Sequence, residues 1–174
     1  MLVLIKGAGD LATGAAVRLY RAGIPVVMTE VAQPTAVRRT VAFSQCMYDG
    51  AAQVEGISAR RAEDAGAARR ALERGEVPVL CDPAAAILGE LPFDGVVDAI
   101  LAKRNLGTAI TDAPVVLALG PGFTAGVDCH GVVETMRGHN LGRLLTQGSA
   151  APNTGVPGDV GGYTTQRIIR APAD

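Results

Sequence analysis

Residues 1–14, MLVLIKGAGDLATG, decide how the rest of the chain is read. Residues 2–5 are apolar without interruption, as expected of a strand buried on both faces. Gly7, Ala8 and Gly9 follow as a tight turn. Asp10 is placed to cap a helix by accepting a backbone N–H of the first turn. Leu11, Ala15 and Leu19 recur at helical spacing, and Gly23 stops the helix. Strand, glycine turn and helix make half of a nucleotide-binding βαβ unit.

The chain continues the alternation. Apolar runs at 24–28, 77–81, 96–101 and 115–119 read as buried strands. Between them the pattern predicts a helix over 34–43 opened by Pro34 and a small hairpin over 48–61 broken by Gly50 and Gly56. It also predicts an Ala-, Glu- and Arg-rich helix over 62–74 stopped by Gly75, and a short helix over 84–90. The expected fold is α/β, Rossmann-like, with a mostly parallel sheet and flanking helices. From Gly120 the glycine density rises, and runs at 127–134, 143–146 and 166–170 read as strands of a β-richer, partly antiparallel region. The expected division is a Rossmann-like domain over 1–147, then a Gly/Pro-rich loop and the start of a truncated β module over 148–174. In the loop, Asn153, Thr154 and Asp159 are the polar points, and the RAPAD terminus reads as cut.

Composition narrows the function classes. The 174 residues suffice for one substantial core, and 48% hydrophobic with 19% charged residues describes a folded domain. A net charge of −1 and 3% aromatic residues speak against nucleic acid and anionic membrane as partners. No apolar run reaches the ~20 residues of a membrane span, and no basic segment precedes an apolar stretch of signal-peptide length. Cys46, Cys81 and Cys129 are odd in number and match no C-x-x-C spacing. They read as reduced, mostly structural thiols of a cytoplasmic protein.

Three loops carry candidate chemistry. The first fits G-x-G-x-x-A at Gly7, Gly9 and Ala12, with Asp10 and Thr13 beside it. Gly7 permits the turn, Gly9 lets a pyrophosphate approach the backbone, and the helix N-terminus offers N–H donors. Glu30 ends the second strand, where an acidic side chain can bind ribose hydroxyls. Arg38 and Arg39 close behind could grip a phosphate or carboxylate. A glycine turn set only by strand-to-helix geometry is the alternative, and the charge of Asp10 opposes a pyrophosphate unless it serves as a cap.

The second loop, AKRNLGTAITD over 102–112, brings Lys103, Arg104, Asn105, Thr108 and Asp112 to a strand's carboxyl end, where ligands of open α/β sheets bind. A charged surface loop is the alternative. The third, LGPGFTAGVDCH over 119–130, could make a second anion cradle from Gly120, Gly122, Thr124 and Gly126. Asp128 and His130 alternate on an expected strand and so share one face, with Cys129 on the other. As such they could serve as an acid/base pair or as two metal ligands, with a structural hydrogen-bonding role for His130 as the alternative. No third ligand has metal-site spacing. Arg137, Gly138 and His139 make a further polar turn.

KGAGDLATG, VVMTEVAQPTAVRRTVAFS, DAILAKRNLGT, TDAP, LGPGFTAGVD, RGHNLGR and GSAAPNTGVPG, in this order, resemble the YqeB-type family of accessory proteins of selenium-dependent molybdenum hydroxylases. The resemblance implies a cytoplasmic factor that matures or inserts a molybdopterin-type cofactor, or its cytosine dinucleotide, in a hydroxylase related to xanthine dehydrogenase. Its purpose is similar to that of XdhC-type accessory proteins. The implied partner is the apo-hydroxylase, and a homo-oligomer is compatible with the chain. The family pattern continues into a small β-rich module and has Val where Cys81 and Cys129 stand, which argues against thiol chemistry. A nucleotide loop with Glu30 suits NAD(P) as well, so an oxidoreductase and a non-catalytic docking scaffold stand as alternatives. No residue is singled out as catalytic.

Overall fold

Each uninterrupted apolar run becomes a strand, because only a chain paired on both edges and covered on both faces can bury so many adjacent apolar side chains. The computed structural model describes residues 1–152 and 161–163. Asn153, Thr154, Asp159 and the run expected at 166–170 lie outside the described residues. The strands are β1 Val3–Lys6, β2 Val26–Glu30, β3 Ala51–Val54, β4 Ile57–Ala62, β5 Val77–Cys81, β6 Gly95–Asp98, β7 Val115–Leu119, β8 Gly131–Val133 and β9 Leu144–Leu145. They form one sheet in the order β3-β4-β5-β2-β1-β6-β7-β8-β9.

From β4 to β8 every pairing is parallel, and only the outer pairs β3–β4 and β8–β9 are antiparallel. The expected α/β class with a mostly parallel sheet is therefore what forms. The stretch β5-β2-β1-β6-β7-β8 has the 3-2-1-4-5-6 order of the doubly wound dinucleotide fold.

Alternation along the strands sends side chains to two cores. Val3, Ile5, Val26 and Met28 meet α1 (Asp10–Arg21) through Ala12, Ala16 and Val17, with Phe43 closing that layer. Leu4, Val27, Val96 and Val116 face the other way, toward Ala68 of α3 (Ala65–Glu73) and toward Ile87, Phe123 and Ala150. Asp64 caps α3 by accepting the N–H of Ala67 at 2.7 Å. After β5 no α-helix forms among the described residues, and loops supply the covering apolar groups instead.

Four expected elements come out differently. The strand over 96–101 ends at Asp98, and residues 99–101 enter the loop that follows. The helix over 34–43 does not form. Residues 31–38 run without helix or strand to two 3-10 turns, Arg39–Val41 and Phe43–Gln45, and a one-turn helix α2, Cys46–Asp49. A helix survives by burying an apolar face, and here Val37 is 95% exposed and Val41 46% exposed. The N–H of Phe43 is taken by the Thr13 hydroxyl at 2.9 Å.

The helix over 84–90 contracts to a 3-10 turn, Ala86–Gly89, because the Asp82 carboxylate accepts the Ile87 N–H at 2.9 Å. The strand over 127–134 shortens to β8, which joins the main sheet parallel to β7 and pairs antiparallel only with β9. Residues 124–128 turn instead, closed by the Thr124 N–H on Asp128 at 2.7 Å.

Two expectations can be checked in solution. Burial pushes the Cys46 thiol up to about 12 and also raises that of Cys129, while Cys81 is exposed. The native protein should therefore release one equivalent of thionitrobenzoate from Ellman's reagent quickly, and three only when unfolded. The buried Glu134 carboxylate accepts N–H groups of Ala151 and Met136 at 2.8 and 2.7 Å, which hold its carboxyl below the usual range. A lowered folded-state value stabilises above the ordinary Glu value of about 4.3 and is lost as pH falls through the folded one. The melting temperature of wild type should exceed that of Glu134→Gln at pH 7, and the gap should narrow in acid.

Candidate functional site

The chain leaves β1 for β2 on one side and fills β6 on the other. At such a reversal the loops beyond neighbouring strands part and open a crevice. Here it is a cleft of about 600 Å³, lined by Gly7, Gly9, Asp10 and Ala12 after β1, Glu30 at the end of β2, Arg38, and residues 99–101 after β6.

Gly7 has a φ of +94°, and a Cβ there would lie 3.0 Å from the Ala99 carbonyl oxygen. Only glycine lets the two loops approach at the cleft floor. Gly9 is the N-cap of α1 without a side-chain cap. The N–H groups of Gly9, Asp10, Leu11 and Ala12 meet no acceptor among the described residues. They give the cleft a set of converging donors with partial positive charge.

Asp10 does not cap the helix. It is the first helical residue, and its carboxylate pairs with the Arg38 guanidinium at the cleft mouth. Glu30 accepts the N–H groups of Ala8 at 2.9 Å and Val31 at 2.8 Å, one on each oxygen. Each oxygen keeps a lone pair for another donor.

Six of the residues singled out from sequence thus line one cleft: Gly7, Gly9, Asp10, Ala12, Glu30 and Arg38. The others sit elsewhere. Thr13 is buried, donating to the Ala8 carbonyl at 3.2 Å and accepting from Phe43. Arg39 turns away, 4.5 Å over the Tyr48 ring and bonded to Gln45 at 2.7 Å. Lys103 and Arg104 are exposed and do not line the cleft; residues 99–101 of the same loop do. Asp112 accepts the Ala109 N–H at 3.1 Å and closes a turn.

Most of the second expected cradle is spent on itself. The N–H groups of Thr124, Ala125, Gly126, Val127 and Asp128 all have acceptors within the protein. Gly122, at φ +108°, lies against backbone: a Cβ there would be 2.5 Å from the Arg104 nitrogen. Gly120 has the Leu101 side chain and Thr135 beside it. Asp128 and His130 do not share a face as a pair. Asp128 holds the turn and stands 3.4 Å from the Asn105 amide, whereas the His130 imidazole accepts the Val116 N–H at 2.9 Å. Arg137, Gly138 and His139 are exposed between β8 and β9.

Sequence reasoning missed the polar group beneath the cleft. Thr29, Lys6 and Asp98 occupy one rung of the sheet on β2, β1 and β6. That rung is otherwise apolar, continuing through Leu80 on one side and Ala118 and Val132 on the other. Lys6 is 4% exposed, Asp98 1% and Thr108 3%. The Lys6 ammonium donates to the Thr108 hydroxyl at 2.6 Å, and that hydroxyl donates to Asp98 at 2.6 Å. Each charge closes an apolar strand run directly before the residue that makes the cleft floor, Gly7 or Ala99. That shared placement was the available signal.

Above this group, Leu101 and Lys103 adopt φ of 61° and 62°. For side-chain-bearing residues that conformation costs roughly 1–3 kcal/mol each.

No family model and no solved structure matches the chain. Among curated proteins it aligns with the protein named "Uncharacterized protein YqeB" of Escherichia coli (strain K12), at 58% identity over 172 residues. The chain is similar to YqeB. The match takes in 99% of this chain and 32% of that protein, so the chain spans about a third of the relative's length. The relative carries the family name that the motifs suggest and, being uncharacterised, no activity.

If the third loop's glycines serve packing, they should differ in cost. Gly122→Ala meets both backbone strain and a backbone clash and is expected to lose more than about 2 kcal/mol. Gly126→Ala, at φ +86° with open space around its Cβ, is expected to lose about 1 kcal/mol. Urea unfolding of the two variants measures this.

Proposed function

We propose that this chain is the cofactor-holding part of an accessory protein that matures a selenium-dependent molybdenum hydroxylase. It would bind a molybdopterin-type cofactor, or its cytosine dinucleotide, and hand it to the apo-hydroxylase. The cleft at the sheet's switch point supports this reading more than any other single observation. A volume of about 600 Å³ falls within the range of sites for small ligands.

The residues present fit such a group. The uncapped N–H groups of Gly9 through Ala12 suit its phosphates. Arg38 at the mouth can neutralise added negative charge, and the free lone pairs of Glu30 suit ribose hydroxyls. When bound, the cofactor supplies the redox centre that the hydroxylase uses. The chain's own residues bind and orient it, and release to a partner requires only moderate affinity. Glu30 at the end of β2 also favours a second reading, an NAD(P)-dependent oxidoreductase, because a nicotinamide dinucleotide carries the same ribose diols. A docking scaffold needs no ligand at all.

Protein made in a host with an active molybdenum cofactor pathway should release a pterin dinucleotide, identified by mass and absorbance. A nicotinamide species would favour the oxidoreductase, and the absence of any ligand the scaffold. Gly9→Asp gives a sharper test. Gly9 has φ −64°, and a Cβ there meets nothing within 4 Å. An aspartate therefore fits and caps α1, raising stability by about 0.3 kcal/mol while occupying the donors that phosphate would use. Cytidine diphosphate should bind at least about tenfold more weakly to this variant, with an equal or higher melting temperature.

A further inference from the structure

The loop over 99–108 is fixed from three sides, and all three act on its shape. At its base, the Asp98 carboxylate takes the Ile100 N–H at 3.2 Å on one oxygen and the Thr108 hydroxyl on the other, so the loop's two ends meet on one side chain. Lys6 holds the same hydroxyl from the neighbouring strand. At its far end, the Asn105 side chain accepts the N–H groups of Gly107 and Thr108 at 2.9 and 2.8 Å and donates to the Thr108 carbonyl at 2.8 Å. From above, the backbone at Gly122 presses on Lys103 and Arg104. Between these supports, Leu101 and Lys103 stay in the left-handed region.

An ordinary surface loop needs none of this. A buried ammonium and a buried carboxylate are costly to keep, and a well-packed apolar replacement is often as stable. What the relay supplies is position. Lys6 directly precedes Gly7, Asp98 directly precedes Ala99, and these two successors touch across the cleft floor. The strained residue Leu101 forms part of the cleft wall.

We infer that the buried Lys6–Thr108–Asp98 relay positions the cleft: it ties the loop after β6 to β1, holds residues 100 and 101 as a preformed wall, and thereby sets the affinity for a nucleoside diphosphate group. Lys6, Thr108 and Asp98 are positioning residues that act through the loop. The affinity clause rests on the function proposed above, whereas the tie between relay and loop does not.

Thr108→Val removes the hydroxyl at nearly constant shape, and Thr108→Ser retains it. Amide hydrogen exchange at residues 100–107 is expected to quicken at least about tenfold in Thr108→Val and to return to within about twofold of wild type in Thr108→Ser. The dissociation constant for cytidine diphosphate, by calorimetry on the same proteins, should rise about tenfold in the first and recover in the second. Should Thr108→Val not fold, Asn105→Ala frees the same loop from its far end without stranding a buried charge, with the same two expectations. Unchanged exchange would overturn the relay's hold on the loop. Faster exchange with an unchanged dissociation constant, or failure of serine to rescue, would overturn its role in the cleft. If wild type ignores cytidine diphosphate, the ligand reading falls, and exchange alone decides the relay.

Discussion

A lysine ammonium and an aspartate carboxylate, joined by a threonine hydroxyl, lie buried in the middle of this sheet, and the cleft above depends on that link. Desolvating two charges is expensive, and a single hydroxyl bridge offsets the cost only in a confined, low-dielectric site. The rest of the rung shows how selective the exception is. Ala62, Leu80, Ala118 and Val132 continue the same row on β4, β5, β7 and β8 and keep it apolar. Polar groups enter only at β2, β1 and β6, the strands around the reversal of chain direction.

The relay also explains how a second half with no α-helix among its described residues can build a site. In a doubly wound fold, helices after each strand brace the loops at the carboxyl edge. Here β6, β7 and β8 are joined by loops alone. Their bracing comes from side chain to backbone bonds: Asn105 on residues 107 and 108, Asp128 on Thr124, and Glu134 on Met136 and Ala151. The carboxylates and amides that a sequence reader takes for ligand-binding groups are largely occupied in holding these loops. The same holds for Gly120 and Gly122, whose missing side chains make room for protein.

This accounts for what the sequence disclosed and what it withheld. Strands at 77–81 and 115–119 are bounded as expected because burial on both faces demands local apolarity, and local apolarity is legible. The hairpin was legible through Gly56, and the structure puts its two-residue turn at Glu55 and Gly56, with φ of 50° and 80°. The helix over 34–43 was not, since nothing in a run opened by Pro34 shows that the fold leaves Val37 and Val41 facing solvent. Likewise the spacing of Asp128 and His130 promised a shared face only if a strand ran through both. A single hydrogen bond from Thr124 to Asp128 replaces that strand with a turn, and no periodicity records it. Gly7, Gly9, Asp10 and Ala12 were readable because the glycine loop is a local motif, and Glu30 because it ends the strand that follows. Lys6 with Asp98 was unreadable because their partnership spans 92 positions of sequence and exists only in the register of β1 against β6.

Asp10 poses the sharpest question about the cleft, because a carboxylate on the first turn of a helix opposes an anion at the same end. Its arrangement resolves the conflict. The ion pair with Arg38 makes the local sum neutral, and one carboxylate engages only part of a guanidinium with five N–H donors. The remaining donors stay at the mouth, on a side chain that is 67% exposed and lines the cleft. Asp10 therefore holds a cation where segment 31–38, with no helix of its own, would otherwise leave it unplaced. The charge that would repel a phosphate is also the charge that keeps a cation at hand. Glu30 is handled by the same logic: two backbone N–H groups fix its carboxylate at the edge of the cleft, where its spare lone pairs favour hydroxyls. N–H donors at one end, a tethered guanidinium at the mouth and a fixed carboxylate at the side are groups complementary to an anionic, hydroxylated ligand, and that complementarity is what the proposed function rests on.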